Sequence, residues 1–193
     1  MHHYLKRYPI TSLLFGINAA YFVYTLLSGG FSPQHLADIG GFYPAADGEY
    51  SRYITGMFLH GGVLHFAMNM IMLIQFANSV EEWVGKGFYL LLYLISGIGA
   101  NLATAWFSDP YTVTVGASGA LYGIFGFYLF LALFKRNWLP HGFAQQITQL
   151  IAFNLILTFV IPNISMTAHI GGLITGFILS AIIVPIRQRK WGR

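Results

Sequence analysis

The stretch PYTVTVGASGALYGIFGFYLFLALF, residues 110–134, carries no charge between Asp109 and the Lys135-Arg136 pair. As a helix, 25 residues would reach about 37 Å. That exceeds the roughly 30 Å hydrocarbon core of a bilayer. The stretch therefore reads as a membrane-spanning helix near 117–134, entered through Gly116-Ala117-Ser118-Gly119.

The rest of the chain repeats the pattern. Uncharged stretches cover 8–37, 53–80, 87–108 and 137–186. The last is long enough for two spans and breaks at Asn163 after Pro162. The expectation is an all-α membrane protein, a bundle of six transmembrane helices near 10–28, 57–80, 87–107, 117–134, 145–161 and 167–186. Composition agrees: of 193 residues 56% are apolar and 8% charged, against about 25% charged in ordinary globular chains. So few charges cannot cover a water-soluble surface, which excludes a soluble enzyme, a disordered chain and a nucleic-acid binder. There is no cysteine, hence no disulfide framework, thiolate metal site or cysteine nucleophile.

Basic residues orient the bundle. With the N-terminus inside, Lys6, Arg7, Lys86, Lys135, Arg136, Arg187, Arg189, Lys190 and Arg193 are cytoplasmic, and only Arg52 is outside. Both termini are therefore expected in the cytoplasm, with the chain in the cell membrane. The first span is read as a retained helix rather than a signal peptide, since no clear small-residue cleavage site ends it. The first outer loop, 29–56, is too long for a turn. With Phe31, Leu36, Ile39, Phe42, Tyr43 and Tyr50 in it, it reads as an interfacial segment or a folded outer cap.

Polar groups inside apolar spans are costly, and function is sought there first. Span two holds His60, His65 and Asn69, the last two on one helix face. Span four opens on Ser118, with Tyr122 one turn on, and span six opens on Ala168-His169 and continues through Gly171, Gly172 and Gly176. Counting back from the inner charges Lys135, Arg187 and Glu81 puts Ser118, His169 and His65 about 26, 27 and 24 Å above them. All three thus lie at one height in the outer part of the core. Taken singly, a serine beside glycine or an outer-leaflet histidine is ordinarily a packing or interfacial residue. Together they supply a nucleophile, a base, close helix approach and hydrogen-bond donors.

Serine needs a base, and histidine is the usual one. The acids all lie in loops or at the inner side, so a Ser–His dyad is expected rather than a triad. Tyr122 is the neutral group expected to orient the imidazole. Backbone N–H groups at a helix start, with His65 and Asn69, suit an oxyanion. No metal site and no cofactor are expected: H-E-x-x-H is absent, and no span contains the carboxylates that a membrane aspartyl protease or a proton-coupled transporter would use.

The chain resembles the rhomboid intramembrane serine proteases. Gly116-Ala117-Ser118-Gly119 matches that family's G-x-S-G, His65-Phe66-Ala67-Met68-Asn69 its H-x-x-x-N, and Ala168-His169-Ile170-Gly171-Gly172 with Gly176 its A-H-x-x-G-x-x-x-G, in order and in the right spans. The resemblance runs over residues 10–186. It implies a single rhomboid-like domain, 1–193, forming a minimal six-helix core. Ser118 would be the nucleophile, His169 the base, and His65 and Asn69 oxyanion donors. Tyr122 would stack on His169, with Gly116, Gly119, Gly172 and Gly176 structural. The partners implied are transmembrane-protein substrates and the lipid bilayer, not nucleic acid. The family's Trp-Arg pair in the first outer loop is here Ser51-Arg52, and His60 matches a frequent structural histidine. Two other functions are weighed. An inactive rhomboid-like pseudoprotease would bind membrane clients, but Ser118 and His169 are both kept. A channel or transporter would spread polar residues through the whole depth, whereas here they cluster.

Overall fold

The computed structural model describes residues 2–46, 48–161 and 164–191. Asp47, Arg193 and the break read at Pro162-Asn163 lie outside the described residues, as do the side chains of Arg187, Arg189 and Lys190. In chain order the helices are α1 (His2–Arg7), α2 (Pro9–Ser28), α3 (Pro33–Asp38), α4 (Arg52–Thr55), α5 (Val63–Met72), α6 (Asn78–Val84), α7 (Lys86–Phe107), α8 (Ser118–Phe134), α9 (Phe143–Val160) and α10 (Met166–Trp191). Among the described residues there is no strand, only an isolated bridge between Phe42 and Thr114.

Five helices are long and apolar enough to cross a membrane: Pro9–Ser28, Val63–Val84, Lys86–Phe107, Phe143–Val160 and Met166–Ile186. The second is α5 and α6 joined through a π-helical turn, Leu73–Ala77. A shorter apolar helix, α8, has 17 residues. The outward faces carry Leu13, Leu27, Leu64, Ile71, Trp106, Ile156, Phe159 and Ile178 exposed. Such continuous apolar exposure suits hydrocarbon and not water, so this is an integral, multi-pass membrane protein. The second span begins at Val63 rather than near 57. Residues 57–60 fold inward as a turn with Met57, Phe58, Leu59 and His60 buried, and Gly62, at φ +155°, supplies the break before the helix.

Helix α8 is the central post, buried along most of its length from Gly119 to Leu131. In lipid, one leucine gains little by touching another, so close contact between helices depends on small residues. Here the glycines interlock. A side chain on Gly172 would overlap the Gly119 carbonyl, one on Gly176 the Gly123 carbonyl, and one on Gly126 the Leu173 carbonyl. Helix α7 closes the other side, with Ala100 against Gly119 and Ser96 against Gly123.

Polar groups inside the bundle are matched across helices. The first turn of α2 has no side-chain cap of its own. Instead Glu81 of α6, 3% exposed, accepts hydrogen bonds from Ile10 N, Thr11 N and Thr11 Oγ1, each at 2.9 Å. A carboxylate at a helix N-terminus meets both the orphan N–H groups and the helix dipole. At the π-helical turn the Phe76 carbonyl takes a hydrogen bond of 2.7 Å from Tyr128 Oη, which satisfies a backbone group such a turn displaces.

Residues 29–46 and 48–56 form a folded cap. Arg52 is its buried pin: its guanidinium donates to the Ala37 carbonyl, to the Gly41 carbonyl at 2.9 Å and to Glu49 at 2.8 Å, and lies over the Tyr43 ring. Serine at position 51 therefore does not cost the arginine its anchorage. The cap reaches the α7–α8 connection through Phe42 and Thr114, which exchange backbone hydrogen bonds of 3.1 and 2.6 Å, and through Gly116 N donating to Gly56 O at 2.9 Å.

Candidate active site

Ser118 is the first residue of α8 and is partly exposed. The preceding turn is set by Gly116, whose φ of +125° favours glycine. Space demands glycine there too. A Cβ on Gly116 would stand 2.7 Å from His65 Cε1 and Nε2, and 3.7 Å from Ser118 Oγ. His65 and Ser118 thus flank one glycine, as their matched height predicts. His65 Nδ1 accepts from Gly61 N at 3.4 Å. A neutral ring accepting at Nδ1 carries its proton on Nε2, the atom beside Gly116.

Asn69, one turn further along α5, is 3% exposed. Its Nδ2 donates to the His65 carbonyl at 2.9 Å, leaving one amide proton uncommitted among the described residues. His60 packs edge-on to His65, ring centroids 5.2 Å apart, with Nδ1 3.2 Å from the Phe58 carbonyl. It is fully buried beside the cluster.

His169 sits in the first turn of α10. Ser165 Oγ accepts from Ala168 N at 3.3 Å, capping this end. Thr167 Oγ1 lies 2.7 Å from Ser108 Oγ, which ties α10 to the end of α7. The His169 ring lies flat on Tyr122, centroids 4.0 Å apart and planes 15° apart, so Tyr122 is the stacking partner expected of it. The hydrogen bond to the imidazole comes from elsewhere: His169 Nδ1 is 2.8 Å from Thr158 Oγ1. Tyr122 Oη turns away toward the Asn154 carbonyl and Thr158 Oγ1, both at 3.0 Å.

Thr158 was missed by reading the sequence, because span five passes there as plain apolar helix. The signal that points to it is the Asn154/Thr158 pair, polar at i and i+4. Ser118 and His169 are not hydrogen-bonded to each other in this structure. Their helices are held at one level by the Gly119–Gly172 contact, and Ala168 O would lie 3.7 Å from a Cβ on Gly119. Among the described residues no group of three or more histidine, aspartate or glutamate side chains could hold a metal ion. The chemistry this cluster offers is a hydroxyl at a helix start, an imidazole with one nitrogen committed, and N–H donors around a glycine turn.

Comparison with known proteins places the chain in a family. The rhomboid domain model matches residues 47–186. The putative rhomboid protease YdcA of Bacillus subtilis (strain 168) is 33% identical over 190 residues, covering 97% of this chain and 95% of that protein. Rhomboid protease GluP of the same organism is 39% identical over 148 residues, which span 77% of this chain but only 29% of GluP. Inactive rhomboid protein 1 of Bos taurus is also similar, 33% identical over 144 residues, 74% of this chain and 17% of that protein. With a family match over most of its length, and with motif glycines, serine and histidine on helices interlocked in this way, the chain belongs to the rhomboid family.

Proposed function

We propose that this protein is an intramembrane serine protease, hydrolysing peptide bonds in or near the transmembrane segments of other membrane proteins. The 193 residues act as one six-span unit in the cell membrane with both termini in the cytoplasm. The site then opens to the outer side, from which water enters. The observation that carries the reading is the His169 ring, stacked on Tyr122 one turn along α8 from Ser118.

In the reaction, Ser118 Oγ attacks the scissile carbonyl carbon while His169 Nε2 takes the hydroxyl proton. The carbonyl oxygen becomes an oxyanion that accepts from the Ser118 backbone N–H, His65 Nε2–H and the free Asn69 amide proton. His169 then gives its proton to the departing amine as the C–N bond breaks. Water, deprotonated by the same nitrogen, hydrolyses the acyl-enzyme and restores Ser118. The carbonyls of a substrate helix are engaged in its own hydrogen bonds, so the cleaved segment unwinds before it is attacked.

The direct test is labelling of the purified protein by a fluorophosphonate, together with cleavage of a single-span reporter in liposomes. Covalent label on Ser118 and reporter cleavage are expected. Absence of both would overturn the reading in favour of a client-binding relative or a channel.

The oxyanion donors give a graded expectation. A lost donor costs about 100- to 1,000-fold in kcat. Here two others remain, so His65→Ala should lower kcat by roughly 10- to 100-fold with KM little changed. Asn69→Ala should cost less turnover but more stability, since its amide is buried and already bonded to the His65 carbonyl. Kinetics and melting temperatures of both variants decide. Activity that falls only as far as the folded fraction would remove the oxyanion role.

A further inference from the structure

A neutral imidazole carries one proton on one of two nitrogens. If the His169 proton sits on Nε2, that atom is a donor and cannot take a proton from serine. The tautomer therefore decides whether the pair functions, and the network around Nδ1 shows what decides the tautomer.

Thr158 Oγ1 has three close neighbours: His169 Nδ1 at 2.8 Å, the Asn154 carbonyl at 2.9 Å and Tyr122 Oη at 3.0 Å. A hydroxyl has one proton to give and two lone pairs to receive with. In one arrangement Thr158 donates to Asn154 O, the usual back-bond of a threonine inside a helix, and accepts from Tyr122 Oη–H and His169 Nδ1–H. All three Thr158 contacts then hold a proton, and of the four contacts in the network only the 3.0 Å approach of Tyr122 Oη to the Asn154 carbonyl does not. In the other, Thr158 donates to a bare Nδ1. The 2.9 Å contact with the Asn154 carbonyl is then lone pair against lone pair. The first arrangement wins. Water does not compete for these atoms, since Thr158 is 4% and His169 7% exposed.

Resting on the assignment of His169 as the base, we propose that Thr158 is a positioning residue: its Oγ1 accepts the His169 Nδ1 proton and so keeps Nε2 free for Ser118. The threonine belongs to α9, so the base is held by α10, stacked by α8 and set in its tautomer by a third helix. A hydroxyl is neutral, so it sets tautomer and ring orientation without the charge a carboxylate would bring to the imidazolium.

The test compares Thr158→Val, which keeps the shape and removes the hydroxyl, with Thr158→Ser, which keeps the hydroxyl, and with Ser118→Ala. In Thr158→Val the Tyr122 hydroxyl still has the Asn154 carbonyl at 3.0 Å, so His169 Nδ1 is the group left without a partner. Fluorophosphonate labelling per folded protein should slow by about tenfold, the order expected for one lost hydrogen bond. On a single-span reporter kcat should fall alike, with KM unchanged. The ¹⁵N spectrum of the His169 ring should show Nδ1 protonated in the parent protein and a mixture of tautomers in the valine variant. Thr158→Ser should restore labelling to within about threefold. Labelling as fast in Thr158→Val as in the parent protein, or equally slow in the serine variant, would overturn the proposal. Unlabelled Ser118→Ala beside a normal Thr158→Val would remove the threonine's role alone. Label persisting on Ser118→Ala would remove the serine–histidine assignment and this inference with it.

Discussion

Alanine at Ser118 should reduce cleavage of a membrane reporter to background, and alanine at His169 should do the same. Neither half works alone: the hydroxyl is a weak nucleophile until a base takes its proton, and the base has nothing to activate without it. Losses on the order of 10,000-fold or more are expected for groups that act as a unit, and the double variant should be scarcely worse than either single one. The two substitutions differ structurally. Ser118→Ala leaves the glycine contact at Gly119 untouched, so its melting temperature should stay near that of the parent. His169→Ala also removes the ring stacked on Tyr122 and the bond to Thr158, so some stability should go with activity. Turnover near the parent level in either purified variant would end the assignment.

Valine at Gly172 should also be strongly damaging, without touching a reacting atom. Its Cβ would occupy the place of the Gly119 carbonyl, and backbone cannot swing aside as a side chain would. Helices α8 and α10 must separate there. Overpacking of this kind costs about 1–3 kcal/mol. The catalytic effect is larger, because Ser118 precedes Gly119 directly and His169 is one turn from Gly172. A misplacement of about 1 Å can lower the rate on the order of 100-fold. Gly176→Val, pressed against the Gly123 carbonyl, lies further from the site. It should lose comparable stability and less activity. Measuring melting temperature and kcat for both separates the effects. Unchanged turnover in Gly172→Val would mean that the distance between the two helices does not control the reaction.

How much of this was legible in the sequence depends on how far apart the cooperating residues lie. Apolar runs between charges gave the apolar helices to within a few residues, except where Gly62 delays the second. Matched heights grouped Ser118, His65 and His169 because each height is measured along its own helix. The Glu81 cap on α2 was not legible. Its partners are Ile10 and Thr11, some 70 residues away, and an acid near Lys86 reads as an inner-surface charge. Thr158 was hidden for a different reason: a single hydroxyl in an apolar helix is ordinarily satisfied by its own backbone, and only the rotation of α9 against α8 and α10 turns it toward His169. The outer cap had two readings in sequence. Arg52 decided for a folded element, through carbonyls at 37 and 41 that no local pattern announces.

The interlocked glycines also limit how the molecule can move. Sliding α10 along α8 by one residue would push Leu173 or Phe177 toward carbonyls that now face bare Cα atoms. Sliding it inward by a full four-residue repeat would bring Gly176 against Phe127. The pair is keyed to this setting, like a tongue cut for its groove. Temperature, a change of lipid or the pull of a substrate can bend or detach the elements around it. The spacing of the serine and histidine helices is a machined dimension, set where backbone meets backbone at Gly119 and Gly172 rather than by side chains that could yield.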